Sequence, residues 1–266
     1  MGNQVSRARY LTVGSFLVNF GVQNYGMLTS PNMKDIADAN HYAFSPNPWF
    51  IAAFFSGQMI LQLAWIRKLF KISPQGYQSI GSSPDTGDHV GLTAQSEEEI
   101  QSALDYAPIY ALGNLCIAGW LFFWLREDFT ASQVLVTINT FAQLYAVSRL
   151  PPLSSSSTSL MYLTHLVAKT FAGIGVLDFV DNGGVMTRYQ APPSSLVQGL
   201  TYALFPLATA GSTPFFGTML LYDVVAISVG QRGVPGADQW SARLGWTAVA
   251  MGGVIGAKAF LTKRMI

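Results

Sequence analysis

Charge is what this sequence has least of. Only 11% of its 266 residues are Asp, Glu, Lys or Arg, under half the roughly 25% of an ordinary soluble domain. Fifteen basic side chains against fourteen acidic ones leave a formal charge of +1, so no basic field exists to hold nucleic acid. The single cysteine, Cys116, excludes an internal disulfide and a thiolate zinc site. Histidine is scarce as well. His41, His89 and His165 lack metal-ligand spacing, and no metal is expected. A P-loop, a G-x-S-x-G elbow and a strand-linked G-x-G-x-x-G turn are all missing from the sequence, so neither a catalytic residue nor a cofactor is assigned.

What is present is apolar: half of the chain is hydrophobic, 13% is aromatic, and the mean hydropathy is +0.31. This composition predicts an all-α, polytopic transmembrane helical bundle whose first partner is the lipid bilayer. Uncharged stretches cover residues 10–28, 49–66, 106–125 and 129–148, and two further stretches run over 158–177 and 240–261. The apolar run 194–230 would extend about 55 Å as one helix, far beyond a hydrocarbon core of about 30 Å. Its middle reads Gly211-Ser212-Thr213-Pro214: a stop, two capping hydroxyls and a proline suited to a first helical position. About eight spans follow, with seven as the alternative.

The chain reads as one integral membrane domain, 1–266, with residues 72–105 a polar, partly disordered cytosolic loop. Within that loop, Ser96 and Glu99 match a capping box, which predicts a short surface helix from Glu97 to Asp105. Arg7 and Arg9 precede the first span, and Arg67, Lys68 and Lys71 follow the second. Placed on one cytosolic side with Arg149, Lys263 and Arg264, they put both chain ends in the cytosol, although Arg188 and Arg232 fall outside this pattern. The opening Met1-Gly2-Asn3-Gln4-Val5-Ser6 fits a myristoylation pattern with Gly2 as acceptor. With the serine-rich loop it favours an endomembrane such as the endoplasmic reticulum.

Ionisable groups inside spans are costly, so each is a functional candidate. Lys169 and Asp223 fall near the centres of their spans, and a buried ion pair between them is the cheapest way to keep both charged. His165 stands one turn before Lys169 on the same face. The carboxylate pairs Asp35/Asp38 and Asp178/Asp181 read as solvated loop charge. Aromatics crowd the second and third spans, from Phe44, Trp49, Phe50, Phe54 and Phe55 to Trp120, Phe122, Phe123 and Trp124; such faces can stack on a planar ring. Ala248, Gly252 and Gly256, four residues apart, permit close helix packing or a homodimer.

The order of motifs is informative. Phe44-Ser45-Pro46-Asn47-Pro48-Trp49 leads into the second span, and the third carries Asn114 followed by Trp120-Leu121-Phe122-Phe123-Trp124. The fifth reads Tyr162-Leu163-Thr164-His165 and then Phe171-Ala172, and a later span holds Leu220-Leu221-Tyr222-Asp223. This succession resembles the long, eight-span relatives of the tryptophan-rich sensory protein / translocator protein family. It departs from that family at Phe54 and His165, where the pattern has tryptophan, and in the longer Asn114-to-Trp120 spacing. The resemblance implies a five-helix core with three added helices. By position it implies a ligand pocket of Trp49, Phe54, Asn114, Trp120, Tyr162 and His165. The expected function is a membrane-embedded receptor or carrier for a flat hydrophobic ligand such as a tetrapyrrole or sterol. Two alternatives stand beside it: an isoprenoid cyclase or isomerase with Asp223 as acid, and a proton-coupled transporter using Lys169 and Asp223.

Overall fold

The computed structural model describes residues 2–72 and 87–262. Residues 73–86 of the expected loop, and the basic pair Lys263 and Arg264, lie outside the described residues. Among the described residues the fold is all-α, with nine helices and no strand. In chain order these are α1 (Gly2–Leu28), α2 (Met33–Ala39), α3 (Pro48–Phe70), α4 (Gly87–Trp124), α5 (Phe129–Arg149), α6 (Ser159–Met186), α7 (Ser195–Gly211), α8 (Pro214–Gly230) and α9 (Asp238–Thr262).

The helix starts follow local chemistry. Asn32, Asn47, Asp128, Thr158, Ser194 and Thr213 each accept a backbone N–H of the first turn that follows them, satisfying donors that the helix cannot. Pro48 and Pro214 open α3 and α8, where their fixed φ costs nothing. The run 194–230 is broken at Gly211 and restarted at Thr213-Pro214, as those residues predict.

Two boundaries differ from the expectation. Glu97 to Asp105 is not a separate surface helix: α4 runs unbroken from Gly87 to Trp124, and Ser96 lies inside it. Glu99 is buried, and its carboxylate accepts the Thr158 amide at 2.8 Å, so it ties α4 to the start of α6 instead of capping its own helix. α6 also continues to Met186, nine residues past its expected end.

Eight helices, all but the short α2, run alternately between two ends of the bundle. At one end Arg9 of α1 donates to the carbonyls of Leu69 (3.1 Å) and Ile72 (2.6 Å), a cation on the free carbonyls that close α3. Lys68 reaches Ser159 at 2.8 Å, and Lys258 of α9 donates to the carbonyls of Ala210 and Ser212. Both basic clusters singled out from the sequence therefore share one end. At the other end Trp124 donates to Met33 O at 3.2 Å, and Trp240 to Ala43 O at 2.9 Å.

α6 is the axis, packed by α3, α4, α5 and α8, while α7 and α9 lean on α8. Between helices the interior is polar as well as apolar. Asn19 donates to Asn114 Oδ1 at 2.9 Å, Tyr110 to Gln62 Oε1 at 2.6 Å, Tyr106 to Gln143 Oε1 at 3.0 Å, and Thr140 to Gly175 O at 2.7 Å. The outer faces are the reverse, with Leu196, Leu200, Leu204 and Leu207 of α7 and Val134, Ile138, Phe141 and Tyr145 of α5 exposed. Four helices among the described residues are long and apolar enough to cross a membrane, and α8 is apolar but shorter.

Candidate functional site

The six residues implied by the family resemblance do not converge. Trp49 sits in the first turn of α3, 74% exposed. Tyr162 donates to Ser154 O at 3.2 Å, and His165, buried, meets Pro151 O through Nε2 at 2.9 Å. That end of α6 lies about 25 Å, at 1.5 Å per residue, from Asn182, which accepts the Trp120 indole N–H at 3.0 Å. Asn114 is fully buried between α1 and α4, committed to Asn19 and to Tyr110 O. One pocket cannot hold all six. The motifs preserve order along the chain but not a shared level in the bundle.

The expected Lys169–Asp223 ion pair is also corrected. Among the described residues the one ion pair is Lys34 with Asp38 on α2. Asp223 instead lies within electrostatic reach of Asp178 on α6. Nine residues of helix separate Lys169 from Asp178, which is about 13 Å of rise and half a turn of the wheel. Lys169 therefore points away from the acidic group and cannot neutralise it.

Asp178 and Asp181 are not loop charge. Both lie within α6, one turn apart and so on one face. Each is half-buried, and Asp181 Oδ1 accepts the Ser45 hydroxyl at 2.9 Å. Asp223 is 1% exposed, and its Oδ2 has no hydrogen-bond partner. Asp178 and Asp181 follow directly on the expected end of the span at residue 177, which is why they read as loop charge.

In front of the carboxyls lies the seam between α3 and α8, which is much more sparsely packed than the α3–α6 contact. Aromatic rings bridge it. Phe50 and Phe54 lie 5.4 and 5.9 Å from the Tyr222 ring, and Phe55 stands edge-on to Phe54 at 5.8 Å. The Tyr222 hydroxyl donates to Phe50 O at 2.6 Å, which fixes its ring. One turn beyond Phe54, buried Gln58 takes the Thr170 hydroxyl on Oε1 and leaves its Nε2 unpartnered. The seam thus combines ring faces, one unused buried donor and one unused buried acceptor, a pattern suited to an oriented apolar ligand. Of the six residues expected from the resemblance, only Phe54 belongs to it.

No family model, curated protein or solved structure matches this chain. The functional argument therefore rests on its own residues. A shallow groove of about 440 Å³ elsewhere, between α8 and α9, is lined by Ser228, Arg232, Asp238, Ser241, Gly245 and Trp246; none of the site residues predicted from the sequence borders it.

Proposed function

We propose that this protein is a polytopic membrane receptor or carrier whose α3–α8 seam takes a flat hydrophobic ligand, in the class of tetrapyrroles and sterols. The observation that carries the reading is the aromatic panel of Phe50, Phe54 and Tyr222, flanked by the unpartnered Asp223 Oδ2 and Gln58 Nε2. Buried polar groups are normally satisfied, so two orphans beside a panel of tilted rings mark a place where ligand atoms complete the bonding.

Membrane embedding is supported by the inside-out pattern of the bundle: Gln58, Gln62, Asn114, Asn139 and Gln143 are buried, while the leucines of α7 are exposed. Exposed apolar stripes of that length favour lipid as solvent. The gathering of Arg7, Arg9, Arg67, Lys68 and Arg149 toward one end supports eight spans with a cytosolic N-terminus. Of the proposed homodimer stripe, Ala248 is buried in the bundle, whereas Gly252 and Gly256 face open space, which leaves only the last turns of α9 for such a contact. In this reading the translocator-like order of motifs reflects shared architecture, and the ligand site lies where the added helix α8 meets α3 of the five-helix core.

The test is a fluorescence titration of detergent-purified protein with acridine at pH 8, where the ring system is uncharged. Saturable binding is expected, weakened about tenfold by Phe54→Ala and unchanged by Trp120→Ala. Absence of saturation, or equal affinity in wild type and Phe54→Ala, overturns the assignment. A second reading draws on the same buried carboxyl: Asp223 as the acid of an isoprenoid cyclase, with the rings shielding a carbocation. Product analysis separates the two, because turnover abolished in Asp223→Asn belongs only to the cyclase.

A further inference from the structure

We propose that, within the flat hydrophobic class, the ligand of the α3–α8 seam is a basic ring system that carries a positive charge, as a protonated aromatic amine does and a sterol does not, and that Asp223, Asp178 and Asp181 hold that charge. This rests on the seam being the ligand site. Two independent observations carry it. The first is composition: three carboxyls from α6 and α8 gather here, and no lysine, arginine or histidine of the described residues lies within ion-pair distance of any of them. Lys169, the nearest intramembrane cation along α6, points to the opposite face.

The second observation is the orphan. Asp223 is 1% exposed with Oδ2 unpartnered, and neither the hydroxyl of Ser45 nor that of its chain neighbour Tyr222 bonds it. Those hydroxyls are committed elsewhere, to Asp181 Oδ1 and to Phe50 O. An unpaired buried acceptor costs its full desolvation, and a wholly apolar ligand would leave that cost in place. An ammonium or protonated ring nitrogen removes it by donating to Oδ2. The same cation then sits against the faces of Phe50, Phe54 and Tyr222, where the ring quadrupoles attract it. A flat body against rings and a charged end against carboxyls describe one amphiphilic cation, oriented with its charge toward α6.

The experiment compares 9-aminoacridine, which is cationic at pH 8, with uncharged acridine on the full chain in an uncharged detergent. Wild type is expected to saturate with 9-aminoacridine at a concentration at least about thirtyfold lower than with acridine, the range for a buried charge pair. Asp223→Asn should erase that difference by weakening 9-aminoacridine binding. Equal affinity for the two probes in wild type overturns the charge assignment and leaves the seam standing. Failure of both probes to saturate overturns the seam reading with it. Asp181→Asn serves as a second variant if Asp223→Asn does not fold, and the wild-type comparison is decisive without either.

Discussion

Gly230→Ala is expected to cost about 3 kcal/mol of stability, at the upper end of overpacking substitutions, and to lower the thermal midpoint in detergent by about 5–10 °C. A Cβ at this position would fall on backbone: against Ser45 O, 2.6 Å from the Pro46 carbonyl carbon and 2.7 Å from Asn47 N. Side chains can rotate away from a clash, but this segment is held on several sides. Asn47 N donates to Ala226 O at 2.9 Å, Gln231 Nε2 donates to Tyr42 O at 2.8 Å and to Ser45 O at 3.1 Å, and Trp240 donates to Ala43 O. The same segment presents Ser45 to Asp181 and leads into Phe50. Its displacement should therefore weaken acridine binding as well as stability. Gly57→Ala is the control. It lies on an exposed helical face with nothing within 4 Å of the added carbon, so helix propensity predicts an unchanged or higher midpoint. A similar fall in both variants would contradict the close approach at Gly230.

Trp65→Ala should cost about 3–5 kcal/mol, the range for a fully buried aromatic truncated to a methyl. The indole is completely buried, with ring centroids 5.4 Å from Tyr106 and 4.9 Å from Tyr110, and its N–H donates to Thr164 Oγ1 at 3.0 Å. It locks α3 and α4 onto α6. Trp65→Phe keeps most of that packing. Thr164 retains its bond to Leu160 O at 2.9 Å, so the loss there should stay near 1 kcal/mol. Thermal unfolding of both variants checks the division. Equal losses would mean that the hydrogen bond, and not the packing, holds the helices together.

Much of the helix layout was legible because its signals are local. Thr213-Pro214 after Gly211 marks a break wherever it occurs, and the Asn, Asp, Ser and Thr caps sit directly before apolar runs. Glu99 misled for the opposite reason: its spacing from Ser96 imitates a capping box, yet its partner Thr158 lies 59 residues away. The site was legible only in part. Asp223 and Phe54 stand out in the sequence, the first as a carboxylate in an apolar run and the second through the resemblance. Their companions do not. Asp178 and Asp181 look like the solvated end of a helix until α8 is seen to bring Asp223 beside them. Tyr222 and Gln58 gain meaning only from the α3–α8 seam. The Lys169–Asp223 pair failed on helical geometry, since complementary charge on two spans fixes neither their relative depth nor which faces meet.

A flat ligand held in the seam between α3 and α8 would lie against residues of both helices. Photolabelling with a diazirine-bearing acridine, followed by peptide mapping of the crosslinks, tests it most directly. Crosslinks concentrated on residues 50–58 and around Tyr222, and competed away by unmodified 9-aminoacridine, are the predicted result. Crosslinks centred on Trp120 or Tyr162, or spread without competition over the exposed leucines of α7, would contradict it.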